Sequence, residues 1–453
     1  METVLLYVLG ILIIVVGLAL SIGLHEVGHL VPAKLFKVRV AQYMIGFGPT
    51  LFSKKVGETE YGLKAIPLGG YISMAGMYPP KHAGEEPRDS STGFIQTLVQ
   101  EAPEPPAGNF SSTTAVDQFG TEIHEPHRSF YNLAVWKRII IMLGGPTVNL
   151  LIGIVLYAVL LCGFGTAQAS TTIGSVSACV ISATENRDAC ESTDAAAPGA
   201  AAGIEPGDTL VSMNGVPITG WTQATSIIKE SAGEPLSVVV DRDGSEVTLT
   251  ATPLLTERYV YDANGAIVED SDGNSVTENV GFLGIGPASE TVQQPITAVL
   301  PAVGDNIVRV AQIIGNLPQR LVDVANAAFG SGERDPNGPV SVVGVGRLAG
   351  EIASIDTAPV ADRASALIGL VASLNIALFV FNLVPLLPLD GGHVAGALFE
   401  GARRRLAKLF KRPDPGPVDI AKLLPLTLAV VVILGGMSAL LVYADIVKPI
   451  SIL

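Results

Sequence analysis

His-Glu-Val-Gly-His at residues 25 to 29 is the stretch of this 453-residue chain whose side chains are best placed to do chemistry. On a helix, positions four apart share a face, so His25 and His29 can offer imidazole nitrogens to one ion while Glu26 stands beside it. Imidazole and carboxylate are ordinary ligands of Zn2+, and a catalytic zinc site keeps one of its four positions open for water. Glu26 would then be the general base that takes the proton from that water. A third ligand decides the matter, and NLVPLLPLDGGH, residues 382 to 393, supplies Asp390. Pro385 and Pro388 interrupt the helical hydrogen-bond ladder there, and Gly391-Gly392 lets the backbone turn closely around a site. Two bland readings compete. In one, the first helix ends at Leu24 and HEVGH lies in wet headgroups; in the other, Asp390 is a plain turn residue at a helix end.

The elements that must position these groups are membrane spans. Leu5 to Leu24 carries no charge and has the ~20 residues that a bilayer-spanning helix needs. A secretory signal peptide would have a shorter apolar core of ~7–15 residues after a basic segment, whereas here Glu2 precedes the run and Lys34, Lys37 and Arg39 follow it, so a retained anchor is expected. Three more uncharged stretches could span: Ile139 to Gly163, Ala366 to Leu389 and Leu423 to Val442. With 48% apolar and only 15% charged residues, the composition is that of a membrane protein carrying soluble mass. An ionisable side chain near the middle of a spanning helix costs roughly 2.5 kcal/mol or more, so such residues pair or line a functional cavity.

Basic residues concentrate on the cytoplasmic side. Lys34, Lys37, Arg39, Lys54, Lys55 and Lys64 follow span one, Lys137 and Arg138 enter span two, and RRRLAKLFKR lies between spans three and four. Both of those loops are therefore expected inside, with the chain termini and residues 164 to 365 outside. Span three then ends at the level of the motif end of span one, which brings Asp390 to His25 and His29. Residues 163 to 300 hold 4 Lys/Arg against 18 Asp/Glu. So acidic an exterior argues against nucleic acid as a partner, because phosphate binding needs a basic face. Cys179 and Cys190 both fall on the outer side, where a disulfide can persist; a bridge between them is expected, with two free thiols as the alternative.

Residues 42 to 75 read as a β-hairpin system punctuated by Gly and Pro, more apolar than a cytoplasmic loop requires, and expected to lie in or against the membrane beside span one. From 79 to 127 the chain holds 8 acidic and 2 basic residues and reads as a flexible cytoplasmic insertion. The insertion contains His82, His124 and His127; HEPH at 124 to 127 could bind a metal, although the proline opposes helical presentation and a solvated loop is the plainer reading. Thr171 to Pro253 resembles a PDZ domain of the bacterial protease-associated type, in the run APGAAAGIEPGDTLVSMNGVPITGWTQATSIIKE and in two strands joined at Asp243-Gly244. Residues 291 to 365 read as amphipathic helices near the outer surface.

HEVGH in the first span, GGPTVN (144 to 149) in the second, NLVPLLPLDGG in the third and a PDZ domain between them resemble the bacterial site-2 protease family, and actinobacterial members more than the enterobacterial form with two PDZ domains. The resemblance implies an intramembrane metalloprotease in which His25, His29 and Asp390 bind Zn2+ and Glu26 activates water. It also implies that Asn382 helps hold substrate and that the segment around Pro67 to Ser73 is the family's membrane-associated β element; a substrate helix that unwinds locally is expected to add as a strand to its edge near Gly69, Gly70 and Tyr71. The expected fold class is a polytopic α-helical membrane protein with four transmembrane helices, a membrane-associated β-hairpin element and one extracytoplasmic PDZ (α+β) domain. Its expected parts are span one at 1–36, the β element at 37–78, the insertion at 79–128, span two at 129–165, the PDZ domain with its β extension at 166–290, amphipathic helices at 291–365, span three at 366–393, a basic cytoplasmic loop at 394–419 and span four at 420–453. The expected partners are the bilayer and single-pass membrane substrates such as anti-sigma factors, already shortened by a first cut, with the PDZ domain capturing substrate C-termini or blocking bulky ectodomains. The cell membrane is the expected location, with the active site toward the cytoplasm. A silent zinc-binding scaffold and a metal-ion transporter are the competing classes; the transporter reading suffers because the fourth span holds nothing more polar than Thr427 and Ser438.

Overall fold

The computed structural model describes residues 2–78, 88–91, 128–183, 189–261, 274–330, 338–418 and 423–450, together with 185, 187, 267, 268, 270, 334 and 335. The 79–127 insertion, with His82 and the HEPH motif, therefore lies outside the described residues apart from 88–91. The chain divides into two compact units, residues 165–294 and the remainder.

In the larger unit, α1 runs unbroken through Glu2–Leu35, so HEVGH lies inside a helix and not beyond its end. What stops the helix is Lys37 in left-handed conformation at φ 61°. The amides of Lys37 and Val38 turn back onto the carbonyls of Lys34 and Ala33, at 3.0 and 2.9 Å, in the double bond of a Schellman cap. The chain then enters β1 (Val40–Val56) and β2 (Thr59–Tyr78), two long antiparallel strands that curl over each other. The first part of β1 is paired on both sides by β2, with Met44 opposite Tyr71 and Gly62 alike. A short strand β3 (Arg88–Ser91) takes the outer edge of β2, Ser73 facing Ser91 and Tyr78 facing Arg88. Tyr43 ties this sheet to α1 by donating its hydroxyl to the Gly23 carbonyl at 2.8 Å.

Helix α2 (Val135–Ala158) crosses α1 where Gly28 and Gly144 put backbone against backbone; a Cβ on either would collide with the carbonyl of the other. Small residues at such a crossing are how helices gain packing where lipid removes the hydrophobic drive. Near its start, Arg138 forms a bidentate pair with Glu400, at 3.1 and 2.6 Å, and the two side chains are 5% and 1% exposed.

The smaller unit opens with β4 (Thr166–Val176) and the short helix α3 (Pro198–Ala201), then β5 (Thr209–Met213), β6 (Val216–Pro217) and α4 (Trp221–Glu230). It closes with β7 (Leu236–Arg242), β8 (Ser245–Ala251), β9 (Leu254–Tyr259), β10 (Thr277–Phe282) and β11 (Ile285–Val292). One sheet has the order β11-β4-β5-β7-β8 with β6 on β5, and β9 pairs with β10. Leu210, Met213, Val238, Val240 and Leu283 form its core, with Ala224 and Ile228 four apart on the inward face of α4. The β7–β8 hairpin turns at Asp243-Gly244, both at positive φ, as that dipeptide requires. Cys179 and Cys190 are joined in a disulfide, their Cα atoms 5.9 Å apart.

The remaining helices belong to the larger unit: α5 (Val299–Gly315), α6 (Leu317–Phe329), α7 (Val342–Ser354), α8 (Val360–Asn382), α9 (Asp390–Leu409) and α10 (Leu424–Val447). Among the described residues, five helices are long and apolar enough to cross a membrane, where the sequence reading has four: the additional one is Ile296–Gly315. Apolar positions at helical spacing predict an amphipathic surface helix there, yet Val299 and Val303 pack with Leu161 and Ile376. Asn306 donates to Tyr157 Oη at 2.8 Å and to Ser373 Oγ at 3.3 Å and so faces α2 and α8, while Asp305 and Arg309 are exposed. Helix α6 sets Val324 and Ala328 against Leu441 and Ala444 at the far end of α10. A second difference lies after the third span. Helix α8 ends at Asn382, and the expected basic loop is largely helical, since Asp390 opens the 20-residue α9. Gly391 and Gly392 allow close approach as expected, but in the first turn of a helix: a Cβ on them would stand 2.5 Å from the Leu383 carbonyl oxygen and 2.6 Å from the Leu387 nitrogen.

Candidate metal centre

Three ligand atoms from three places in the sequence meet inside the larger unit. Nε2 of His25 and Nε2 of His29 are 3.1 Å apart. Asp390 Oδ2 lies 3.3 Å from the first and 3.4 Å from the second. A tetrahedral ion with bonds of about 2.0–2.1 Å needs neighbouring donors about 3.3–3.4 Å apart. The observed triangle is therefore one face of such a tetrahedron. Its corners are buried in protein, His29 at 0% exposed, Asp390 at 6% and His25 at 8%. Asp390 Oδ2 receives no hydrogen bond there, and a buried carboxylate oxygen without a donor is costly unless a cation answers it. The donor set and its spacing thus fit zinc.

The groups behind the triangle aim it. His29 Nδ1 lies 2.7 Å from the Ile141 carbonyl oxygen, which accepts the ring N–H and leaves the Nε2 lone pair for an ion. His25 Nδ1 is 3.2 Å from the Asn149 side-chain amide. Both supports come from α2, brought near by the Gly28–Gly144 crossing. Gly145, next along, keeps the space open: a Cβ there would stand 2.7 Å from His25 Nε2 and closer still to His29 Nε2. Asn375 of α8, fully buried, donates to Ser21 Oγ at 2.9 Å and fixes that helix to α1 one turn before the motif.

Glu26 is 4% exposed and lies on α1 beside the triangle. Gly70 of β2 abuts it, since a Cβ at Gly70 would be 2.9 Å from Glu26 Cγ. Gly69 sits at φ 134°, a conformation that disfavours any side chain. Tyr71 is buried, and its hydroxyl donates to Gln42 Oε1 at 3.2 Å, which leaves backbone as the surface it can offer a substrate. Asn382 is half-buried at the last position of α8. His25, His29, Asp390, Glu26 and Gly70 are thus brought together, whereas Asn382 has no side-chain hydrogen bond to that cluster among the described residues. Gly145 and Asn149 belong to the GGPTVN stretch that carries the resemblance but have no role assigned there, and the Ile141 carbonyl is the group that motif reading missed. The signal for Asn149 was present, as an amide within an otherwise apolar span.

Residues 13–412 match the description Peptidase family M50. The chain belongs to that family. Zinc metalloprotease Rip1 of Mycobacterium tuberculosis is 31% identical to this M50 peptidase over 451 residues, which covers 99% of each chain. Rip1 of Mycolicibacterium smegmatis is 31% identical over 458 residues, covering 98% of each. Metalloprotease MmpA of Caulobacter vibrioides is 27% identical over 417 residues, 88% of this M50 peptidase and 89% of the relative. The resemblance to site-2 proteases carried by HEVGH and NLVPLLPLDGG agrees with this membership, and a metalloendopeptidase of the membrane is what the family and the apolar helices together describe.

Proposed function

We propose that this M50 peptidase is a zinc-dependent intramembrane endopeptidase that cuts the spanning segments of single-pass proteins such as anti-sigma factors, after a first extracytoplasmic cut, and so releases a cytoplasmic factor. The observation that carries the reading is the buried triangle of His25 Nε2, His29 Nε2 and Asp390 Oδ2 with edges of 3.1 to 3.4 Å, set among lipid-length helices. His25, His29 and Asp390 would hold Zn2+, and the ion when bound would supply Lewis acidity for activating a water and polarising the scissile carbonyl. Glu26 accepts the proton of that water and passes it to the leaving amine. A helical substrate hides its carbonyls in its own hydrogen bonds, so it must unwind locally; β2 at Gly69 to Tyr71, against Glu26, offers the edge on which an extended segment pairs. Asn382 orients that segment from the end of α8.

Four crossings are supported by how the helices pack. The chain leaves α2 at its far end, α5 lies along α2 and α8, and α6 comes back to the far end of α10. Helices α5 and α6 thus enter and return as a hairpin, which keeps the ends of α1 and α8 on one side. Residues 165–294 we read as the PDZ domain; a separate core and the helix α4 support it, and capture of trimmed C-termini is its assigned task.

The test is purified protein incubated with a single-span anti-sigma factor trimmed at its outer end. Cleavage that is lost on zinc chelation and restored by zinc, and that falls by about 10²–10⁴ in Glu26→Gln with zinc content unchanged, is the expected result. Cleavage at full rate in Glu26→Gln would remove the peptidase mechanism and favour the silent scaffold.

A further inference from the structure

Asn149 is 1% exposed, and its amide points at His25 Nδ1 from a distance of 3.2 Å. With Nδ2 toward the ring, as placed, the amide is the donor and Nδ1 must be the acceptor. A neutral imidazole carries one N–H, so the proton would sit on Nε2. That nitrogen is the corner of the donor triangle, 3.1 Å from His29 Nε2 and 3.3 Å from Asp390 Oδ2, and an N–H there would exclude an ion. In the same orientation Asn149 Oδ1 is buried with no hydrogen-bond partner. Amide oxygen and nitrogen are exchangeable by a half-turn of the side chain, and which faces the ring is settled by the hydrogen-bond network. Turning the amide lets Oδ1 accept from the ring and moves the ring proton to Nδ1. Either orientation leaves one buried amide atom without a partner, and the need for a free Nε2 lone pair at the donor triangle selects the turned one.

We propose that Asn149 is a positioning residue for the metal centre: its Oδ1 accepts the Nδ1–H of His25 and thereby holds the Nε2 lone pair toward the ion. The inference rests on the zinc reading above. It makes α2 the source of both tautomer-setting contacts, the Ile141 carbonyl for His29 and the Asn149 carbonyl for His25. A carboxylate can only accept, so Asn149→Asp preserves the proposed role, whereas Asn149→Leu keeps the size and removes it.

The experiment measures zinc affinity by competition with a chelator on the full-length wild type and both variants in detergent, with the visible spectrum of the cobalt-substituted proteins as a second readout. Expected are one tightly held zinc in the wild type, affinity within threefold or tighter in Asn149→Asp, and a 10- to 100-fold loss in Asn149→Leu, the range typical of removing a ligand's supporting hydrogen bond. Cobalt spectra should match between wild type and Asn149→Asp. Equal affinity in a folded Asn149→Leu protein overturns the proposal, as does a tenfold or greater loss in a folded Asn149→Asp protein, which decides the matter alone should the leucine variant not fold. A wild type that binds no zinc would instead overturn the zinc reading itself.

Discussion

Gly70 and Glu26 are in contact: the strand edge that would carry a substrate rests on the carboxylate that would deprotonate water, with room for hydrogen and for nothing larger. The strand and the helical motif thus form one working surface. Gly70→Ala should push Glu26 off its position and lower turnover, by about 10²-fold if the shift approaches 1 Å, while zinc content stays at the wild-type level. Turnover rates on the trimmed substrate, read beside metal analysis, check this; unchanged turnover would mean that the strand does not set the carboxylate.

Gly145 makes a complementary prediction. A methyl group there would fill the space between the two imidazoles, so Gly145→Ala should lose bound zinc and with it activity. Gly163→Ala is the control, because a Cβ at that position meets nothing within 4 Å. Metal content of the two purified proteins is the measurement, and zinc retained in Gly145→Ala would contradict the placement of α2.

Much of this centre was legible before any coordinates. His25, Glu26, His29 and Asp390 stand out because an ionisable group in an apolar run has no inexpensive alternative to pairing or coordination. Asn149 has no role assigned within GGPTVN, and Asn375 and Ser21 give no signal, because neutral polar side chains cost less to insert and can return a hydrogen bond to their own helix, as Ser21 does to the Gly17 carbonyl at 2.8 Å. The Arg and Lys cluster of RRRLAKLFKR marks residues 394–419 as a basic inner loop, whereas much of it is helix α9; Glu400 on that helix receives Arg138 from α2 and the amide of Val418 at 3.1 Å. No local pattern announces a partner that far away.

That pair gives a stability prediction. Glu400→Ala leaves the Arg138 guanidinium buried without its counter-charge and should cost about 3–5 kcal/mol, seen as a fall in the thermal midpoint of the detergent-solubilised protein. Replacing both residues with methionine should recover most of the loss. If Glu400→Ala melts with the wild type, the pair contributes nothing to the bundle.

A pH dependence follows for residues 165–294. Hydrogen bonds from the Arg242 guanidinium, at 2.7 and 2.8 Å, hold the Asp208 carboxyl below the ordinary carboxylate range. A carboxyl with a depressed folded value contributes stability that is fully present above its unfolded value of about 3.9 and is lost as pH falls through the folded one. In a Trp136→Phe background Trp221 is the remaining tryptophan and packs against the core of this unit. Its fluorescence in urea should show a midpoint that drops between pH 5 and pH 2.5, and less steeply in Asp208→Asn. Identical slopes would exclude this pair as the cause.

The cluster proposed to hold the ion is assembled from a helix near the start of the chain and a residue at position 390. Until that later segment has been synthesised and threaded into the bilayer, His25 and His29 stand alone and cannot complete the centre. On the proposed reading, a peptidase built in this order would be inert while it is being made and would begin to cut only once the bundle has closed.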